Sequence, residues 1–195
     1  MSIRLRCHCG KLQGELDTAA VAARATCYCT DCRAFARFLG NEIEILDGAG
    51  GTEVAAALPS GLRFTAGIEH LACMSLSPKG LYRWYASCCR TPIGNTPRNP
   101  KLPYVGVIRA CMDASPAELD AALGREQIAT NTRTAYRKIE ATPMATAWAV
   151  LRIGGMIVKS RLGGSYRNNP FFVPGSANPV REPLVISREQ RAALG

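Results

Sequence analysis

No stretch of this 195-residue sequence is both long and apolar enough to cross a membrane. The best candidate, residues 141–158, is interrupted by Arg152 and falls short of the span of about 20 residues that a bilayer requires. The opening Met-Ser-Ile-Arg-Leu-Arg-Cys-His-Cys-Gly has no apolar run of the kind a secretory signal uses, so a cytoplasmic location is expected. Internal repeats and low-complexity tracts are missing too, which argues against solenoids and compositional disorder. Aromatic residues are sparse at 7 %, and few interleave with the basic ones as a nucleic-acid groove would require.

Cysteine, by contrast, is abundant. There are nine, and they cluster. An odd count, no export signal and pairs as close as Cys7/Cys9 and Cys88/Cys89 all argue against a disulfide framework, because such neighbours reach disulfide geometry only with strain. Clustered thiols in a reducing compartment serve metal or redox chemistry, and metal is the reading adopted. Apolar residues make up 47 % of the chain, enough to fill a core. The net charge of +9 is uneven: residues 1–113 carry 13 basic and 9 acidic side chains, and residues 124–195 carry 11 and 4. A basic tail suits a solvated surface or an anionic partner.

Up to about residue 113 the pattern predicts short strands. These fall at 2–6, 12–16, 22–27, 42–46, 53–58, 62–65, 70–76, 81–87 and 104–112, punctuated by Gly48, Gly50, Gly51, Pro59 and the turn Ser77-Pro78-Lys79-Gly80. Evenly spaced short strands indicate a mainly β, antiparallel domain. Gly10 is expected to supply an unusual backbone conformation in a hairpin turn at Cys7–Gly10. Beyond 113, Ser115-Pro116-Ala117-Glu118 reads as a helix start running to Leu123, with Gly124 as its stop. Residues 134–141 and 144–162 also read as helical, and the rest as irregular. The expected organisation is a zinc-binding β domain at 1–113 and a helical and irregular extension at 114–195 packed on it.

Zinc in closed protein sites takes four tetrahedral ligands, and an open site keeps three plus an exchangeable position. Cys27-x-Cys29-x-x-Cys32 offers three thiolates from one loop. Cys7-x-Cys9 offers two from another turn, and Cys88–Cys89 offers one or two after a strand. Cys73 and Cys111 lie in apolar strands and read as core. His8 sits between two candidate ligands and is expected to point away from the ion. His70 reads as structural, Asp31 as a turn cap or an acid, Trp84 and Tyr85 as packing, and Arg167 as a contact for an anionic substrate.

The sequence resembles the glutathione-dependent formaldehyde-activating enzyme and centromere-protein-V family of zinc proteins over about residues 3–113. The motifs are Cys7-His8-Cys9-Gly10, Cys27-Tyr28-Cys29-Thr30-Asp31-Cys32-Arg33 and Tyr85-Ala86-Ser87-Cys88-Cys89-Arg90-Thr91-Pro92-Ile93. The resemblance implies a β-tent fold, a structural zinc held by Cys7, Cys9 and the late pair, and a second, open zinc at Cys27, Cys29 and Cys32. It also implies carbon–sulfur lyase-like handling of a small-molecule thiol or thiol adduct of the glutathione type. Cys89 matches the second cysteine of the family's late pair, but Ala86 stands where the first should be. Three alternatives follow: Cys88 takes over, the site is altered, or Cys88 or Cys89 joins the middle triple to make one closed site. One or two zinc ions are therefore expected. Three thiolates leave zinc a poor activator of water but able to hold a fourth thiol as thiolate. The helical tail has no counterpart in the family core, which suggests a lid or a homodimer contact. The competing function is a non-catalytic zinc module for protein or nucleic acid.

Overall fold

The computed structural model describes residues 1–125 and 128–195. In chain order the elements are β1 (Ser2–Arg6), β2 (Gln13–Asp17), β3 (Val21–Cys27), α1 (Thr30–Leu39), α2 (Glu42–Ile45), β4 (Thr52–Ala57), β5 (Leu62–Ala66), β6 (Leu71–Ser75), β7 (Tyr82–Ala86), β8 (Pro92–Thr96) and β9 (Val105–Ile108). There follow α3 (Pro116–Leu123), β10 (Ile128–Thr130), α4 (Pro143–Leu162), β11 (Pro183–Val185) and α5 (Arg188–Ala193). The fold is sheet-rich, with a helical C-terminal region.

Among the described residues the strands form two sheets. One has three strands in the order β1-β2-β5; the other has eight in the order β10-β3-β4-β9-β8-β7-β6-β11. Pairing is antiparallel except at the two ends of the large sheet, where β10 lies parallel to β3 and β11 parallel to β6. Thus both outer strands come from the chain beyond residue 113. Alternation along each strand decides what faces what. Ala55, Ala57, Val105, Val107, Trp84 and Leu71 of the large sheet pack with Ile3, Leu5, Leu16 and Leu62 of the small one. The neighbouring positions Val54, Ile108 and Met74 meet the buried face of α1, namely Ala34, Phe35 and Leu39. Three layers result: small sheet, large sheet, helix.

Several sequence expectations need correction. Residues 42–46 were expected as a strand, but Glu42–Ile45 is a short helix. Residues 134–141 were expected as a helix, but a single 3-10 turn ends at Thr134 and residues 135–141 are not helical, Tyr136 being held in irregular chain by its N–H to Ala49 O at 2.9 Å. The segment from Cys27 to Cys32 is not a simple loop: Cys27 ends β3, while Thr30, Asp31 and Cys32 open the ten-residue helix α1. The helix begins there because Cys29 has extended φ/ψ and its sulfur accepts the Cys32 N–H, as an N-cap oxygen would. Gly40, at φ +71, ends it in the left-handed conformation that suits glycine.

Candidate metal centres

Two groups of cysteines converge in space. Cys7 and Cys9 lie on the turn from β1 to β2, which is closed by Cys7 N–H to Leu12 O at 3.0 Å and Gly10 N–H to Cys7 O at 2.8 Å. Gly10 adopts φ +76 here, and a Cβ would sit 2.8 Å from the Arg6 guanidinium. Cys88 and Cys89 lie on the turn from β7 to β8. It is closed by Ala86 N–H to Thr91 O at 2.8 Å and Arg90 N–H to Ala86 O at 2.7 Å, with Arg90 at φ +59. The unusual turn that adjacent ligands require is therefore present, carried by a non-glycine residue. Thr91 joins the two turns: its Oγ1 accepts the His8 N–H at 2.9 Å and lies 3.2 Å from Cys89 Sγ.

The four sulfurs all lie within 4.8 Å of one another. Cys7 to Cys9 is 3.6 Å, Cys7 to Cys88 is 3.8 Å, Cys9 to Cys88 is 3.3 Å and Cys88 to Cys89 is 3.8 Å. A tetrahedron with metal–sulfur bonds of about 2.3 Å has edges of about 3.8 Å, so one metal ion fits with little adjustment. Both late cysteines join Cys7 and Cys9, and neither goes to the middle triple.

Cys27, Cys29 and Cys32 form the second group, again with sulfurs within 4.8 Å. Cys29 and Cys32 lie at the N-terminal end of α1, where unsatisfied N–H groups and the helix dipole favour thiolate. Three sulfurs leave the fourth position of a tetrahedral ion to something else. Cys29 and Thr30 line an open cleft of about 550 Å³ whose other wall is Asn131, Thr132, Arg133 and Thr134. That wall is set by β10: Tyr28 N–H donates to Thr130 O at 3.0 Å, and Thr134 Oγ1 donates to Tyr28 O at 2.7 Å. Asn131 sits at φ +55 and donates its Nδ2–H to Cys27 Sγ at 3.3 Å.

The electrostatics of the two groups are alike. Hydrogen bonds from Cys29 and Cys32 bring the Cys27 thiol down to about 2, while Cys29 and Cys32 are raised, chiefly by the proton they share with Cys27. In the first group burial raises Cys7 and Cys88. Burial opposes ionisation of Cys89 as well, but hydrogen bonds from Thr91 and the Cys9 backbone outweigh it and bring this thiol down to about 6. Crowded thiolates repel, so the sulfurs of a group resist ionising together. A divalent cation removes that repulsion and lets every sulfur ionise. Tyr104 is raised to about 12 by burial first and by Cys27 and Cys32 second, so its phenol stays protonated.

The other singled-out residues fall outside both groups. The His8 ring is exposed, 4.0 Å from Glu44. Asp31 pairs with Arg191 at 2.8 Å and with buried Arg83 at 3.7 Å. Cys73 and Cys111 are buried in the core, as is Trp84, which donates to Thr96 Oγ1 at 2.9 Å and stacks near Phe171. Tyr85 meets Phe38 edge-on. Arg167 lines a separate cavity with Lys101 and Asn169, whose lining includes no cysteine. Sequence reasoning missed Asn131, Thr134 and Thr91 as site residues, because nothing in a lone Asn or Thr reveals a partner about 80 to 100 residues away, Cys27 for Asn131, Tyr28 for Thr134 and His8 for Thr91.

No helix of the described residues is long and apolar enough to cross a membrane. The search of curated proteins finds no match. Among solved structures, the crystal structure of a Rhodobacter sphaeroides protein is 24 % identical, the match covering 60 % of this chain and 94 % of that one with a TM-score of 0.42. Residues 1–182 match the family described as "Family of unknown function (DUF6151)", and the chain belongs to that family.

Proposed function

We propose that this chain is a zinc protein of the kind its motifs resemble, the glutathione-dependent formaldehyde-activating enzyme and centromere-protein-V family, and that its three-cysteine site takes a thiol or thiol adduct. The observation that carries this reading is the inequality of the two groups. Four sulfurs at tetrahedral spacing suit a closed structural ion, whereas Cys27, Cys29 and Cys32 leave one coordination position, and Cys29 among them borders a cleft. An all-thiolate, tetrahedral donor set favours zinc.

Zinc bound by these three cysteines would supply a position that keeps an incoming thiol ionised near neutral pH. The chain's own residues do the rest. Asn131 steadies Cys27 as thiolate through its amide N–H, and α1 adds the favourable end of its dipole. Thr30 and Thr132 offer hydroxyls at the cleft wall, and Arg133 offers a cation to an anionic adduct. The chemistry expected is formation of a carbon–sulfur bond between thiolate and an aldehyde carbon, the carbonyl oxygen taking up a proton, or the reverse.

Metal analysis tests the reading. Wild-type protein should carry two zinc ions per chain, and Cys29→Ser one, with an unchanged circular dichroism spectrum. In cobalt-substituted protein, added glutathione should shift the thiolate-to-cobalt bands of the wild type and leave those of Cys29→Ser alone. A single ion per wild-type chain, or bands indifferent to every thiol tried, would remove the open site from consideration. A non-catalytic thiol- or partner-binding module is the second reading. It is favoured by the cleft lining, which contains no carboxylate or histidine. Cobalt bands that respond to thiols with no turnover of thiol–aldehyde adducts would select it.

A further inference from the structure

The feature left unexplained by the metal centres is α4. Its inner side rests on β3, β10 and the turn at Ser165–Arg167, and Ser160 is its one buried residue. On the outer side Met144, Trp148, Leu151, Gly155, Val158 and Leu162 are all exposed, the large side chains by 58 % (Val158) to 86 % (Leu162). Their spacing is 4-3-4-3-4. That is the seam of a helix that packs along another helix, and here it faces solvent.

Gly155 lies in the middle of this seam with Gly154 beside it. Glycine weakens a helix interior, and such a position normally has a packing reason. This monomer supplies none: a Cβ added at either residue meets nothing within 4 Å. A second helix crossing at Gly155 would supply one, because the missing side chain lets two backbones approach closely. The flanking large side chains then fill the space on either side of the crossing.

We infer that α4 is the contact of a two-fold homodimer, with the α4 helices of two copies crossing at Gly155. A second copy is the occupant because the same seam, centred on its own glycine, is self-complementary about a two-fold axis, as an isologous interface must be. The five large seam side chains are 58–86 % exposed, so they would form the apolar centre of such an interface, with the residues flanking the seam completing the roughly 800 Å² per partner that a stable one buries. A lipid surface needs neither regular 4-3 spacing nor a central glycine.

Sedimentation equilibrium of the full-length protein, with and without phosphatidylcholine–phosphatidylglycerol vesicles, tests this. The wild type should show twice the 20.9 kDa chain mass at micromolar concentration. Leu151→Glu/Val158→Glu should be monomeric with unchanged helix content and metal content. Gly155→Ala is the sharper variant. It strengthens an isolated helix, so a solvent-facing α4 predicts a higher melting temperature with no change in mass, whereas a crossing predicts a dimer dissociation constant raised by about tenfold or more. A monomeric wild type, a dimer indifferent to both variants, or a monomer that binds the vesicles through this face would each overturn the inference.

Discussion

Arg90 holds the second cysteine turn in a conformation that costs a side-chain-bearing residue about 1–2 kcal/mol, at φ +59. Its guanidinium lies 5.5 Å from the Phe38 ring centroid, which offsets part of that cost. Arg90→Gly should therefore be close to neutral in thermal melts, while the β-branched Arg90→Val should be less stable than Arg90→Gly by about 1–2 kcal/mol. Thr91 next to it accepts the His8 N–H and touches Cys89. Replacing it with valine strands that N–H, at a cost of about 1–2 kcal/mol in chemical denaturation. At this scale the cysteine spacings announced which residues would group locally. The joining of Cys88–Cys89 to Cys7 and Cys9 was legible only through the family resemblance, as one of three alternatives, because it depends on contacts some 80 residues apart (|i−j| = 79 for Cys9–Cys88) that spacing alone does not show.

Helix α3 shows an element that sequence does reveal. Ser115 accepts the Glu118 N–H, and the Glu118 carboxylate accepts the Ser115 N–H at 2.7 Å, so the cap is reciprocal. Ser115→Ala should cost about 1 kcal/mol. The Ser115 hydrogen bonds, backbone first, hold the Glu118 carboxyl below its ordinary 4.5. A depressed carboxylate contributes stability at pH above its unfolded value and loses it as pH falls through the lower folded value. Melting temperatures of Glu118→Gln should accordingly approach those of the wild type as pH drops below about 4.5. Helix α1 was missed because its cap is a sulfur rather than Ser, Thr, Asp or Asn. Residues 42–46 misled for the opposite reason: Glu-Ile-Glu-Ile alternates with the period of a strand but forms a single helical turn. Strand β8, Pro-Ile-Gly-Asn-Thr, has poor strand propensity and exists because β7 and β9 pair with it on both sides. The three-residue strands β10 and β11 are too short to carry any periodicity.

At the scale of the molecule, the four-cysteine group ties a hairpin of the small sheet to a hairpin of the large one, and the three-cysteine group ties β3 only to the start of α1. A metal ion in the former closes a loop of about 80 residues, so its loss should matter more to stability. Cys9→Ser is expected to lower the melting temperature further than Cys29→Ser, and a chelator applied to the wild type should reproduce the larger effect. Both effects should shrink toward acid, where protons compete for the thiolates and the wild type loses its metal as well. Trp84, fully buried between the sheets, is the sharpest metal-independent probe: Trp84→Ala should cost about 3–5 kcal/mol. The mainly β character and the helical C-terminal region were readable from pattern, whereas the layering was not, since it rests on which strand faces which across the core.

The parallel strands at the rims of the large sheet bear on how the protein is made. A nascent chain that has emerged only as far as residue 113 already holds every cysteine of both groups, yet the outer rims of β3 and β6 still present bare N–H and C=O groups. The second rim is sealed only when residues 183–185 arrive, which at ribosomal speed takes several seconds more. During that interval the half-finished sheet is a template for stray strands, and chaperones that shield such rims should matter more to its yield than to its final stability.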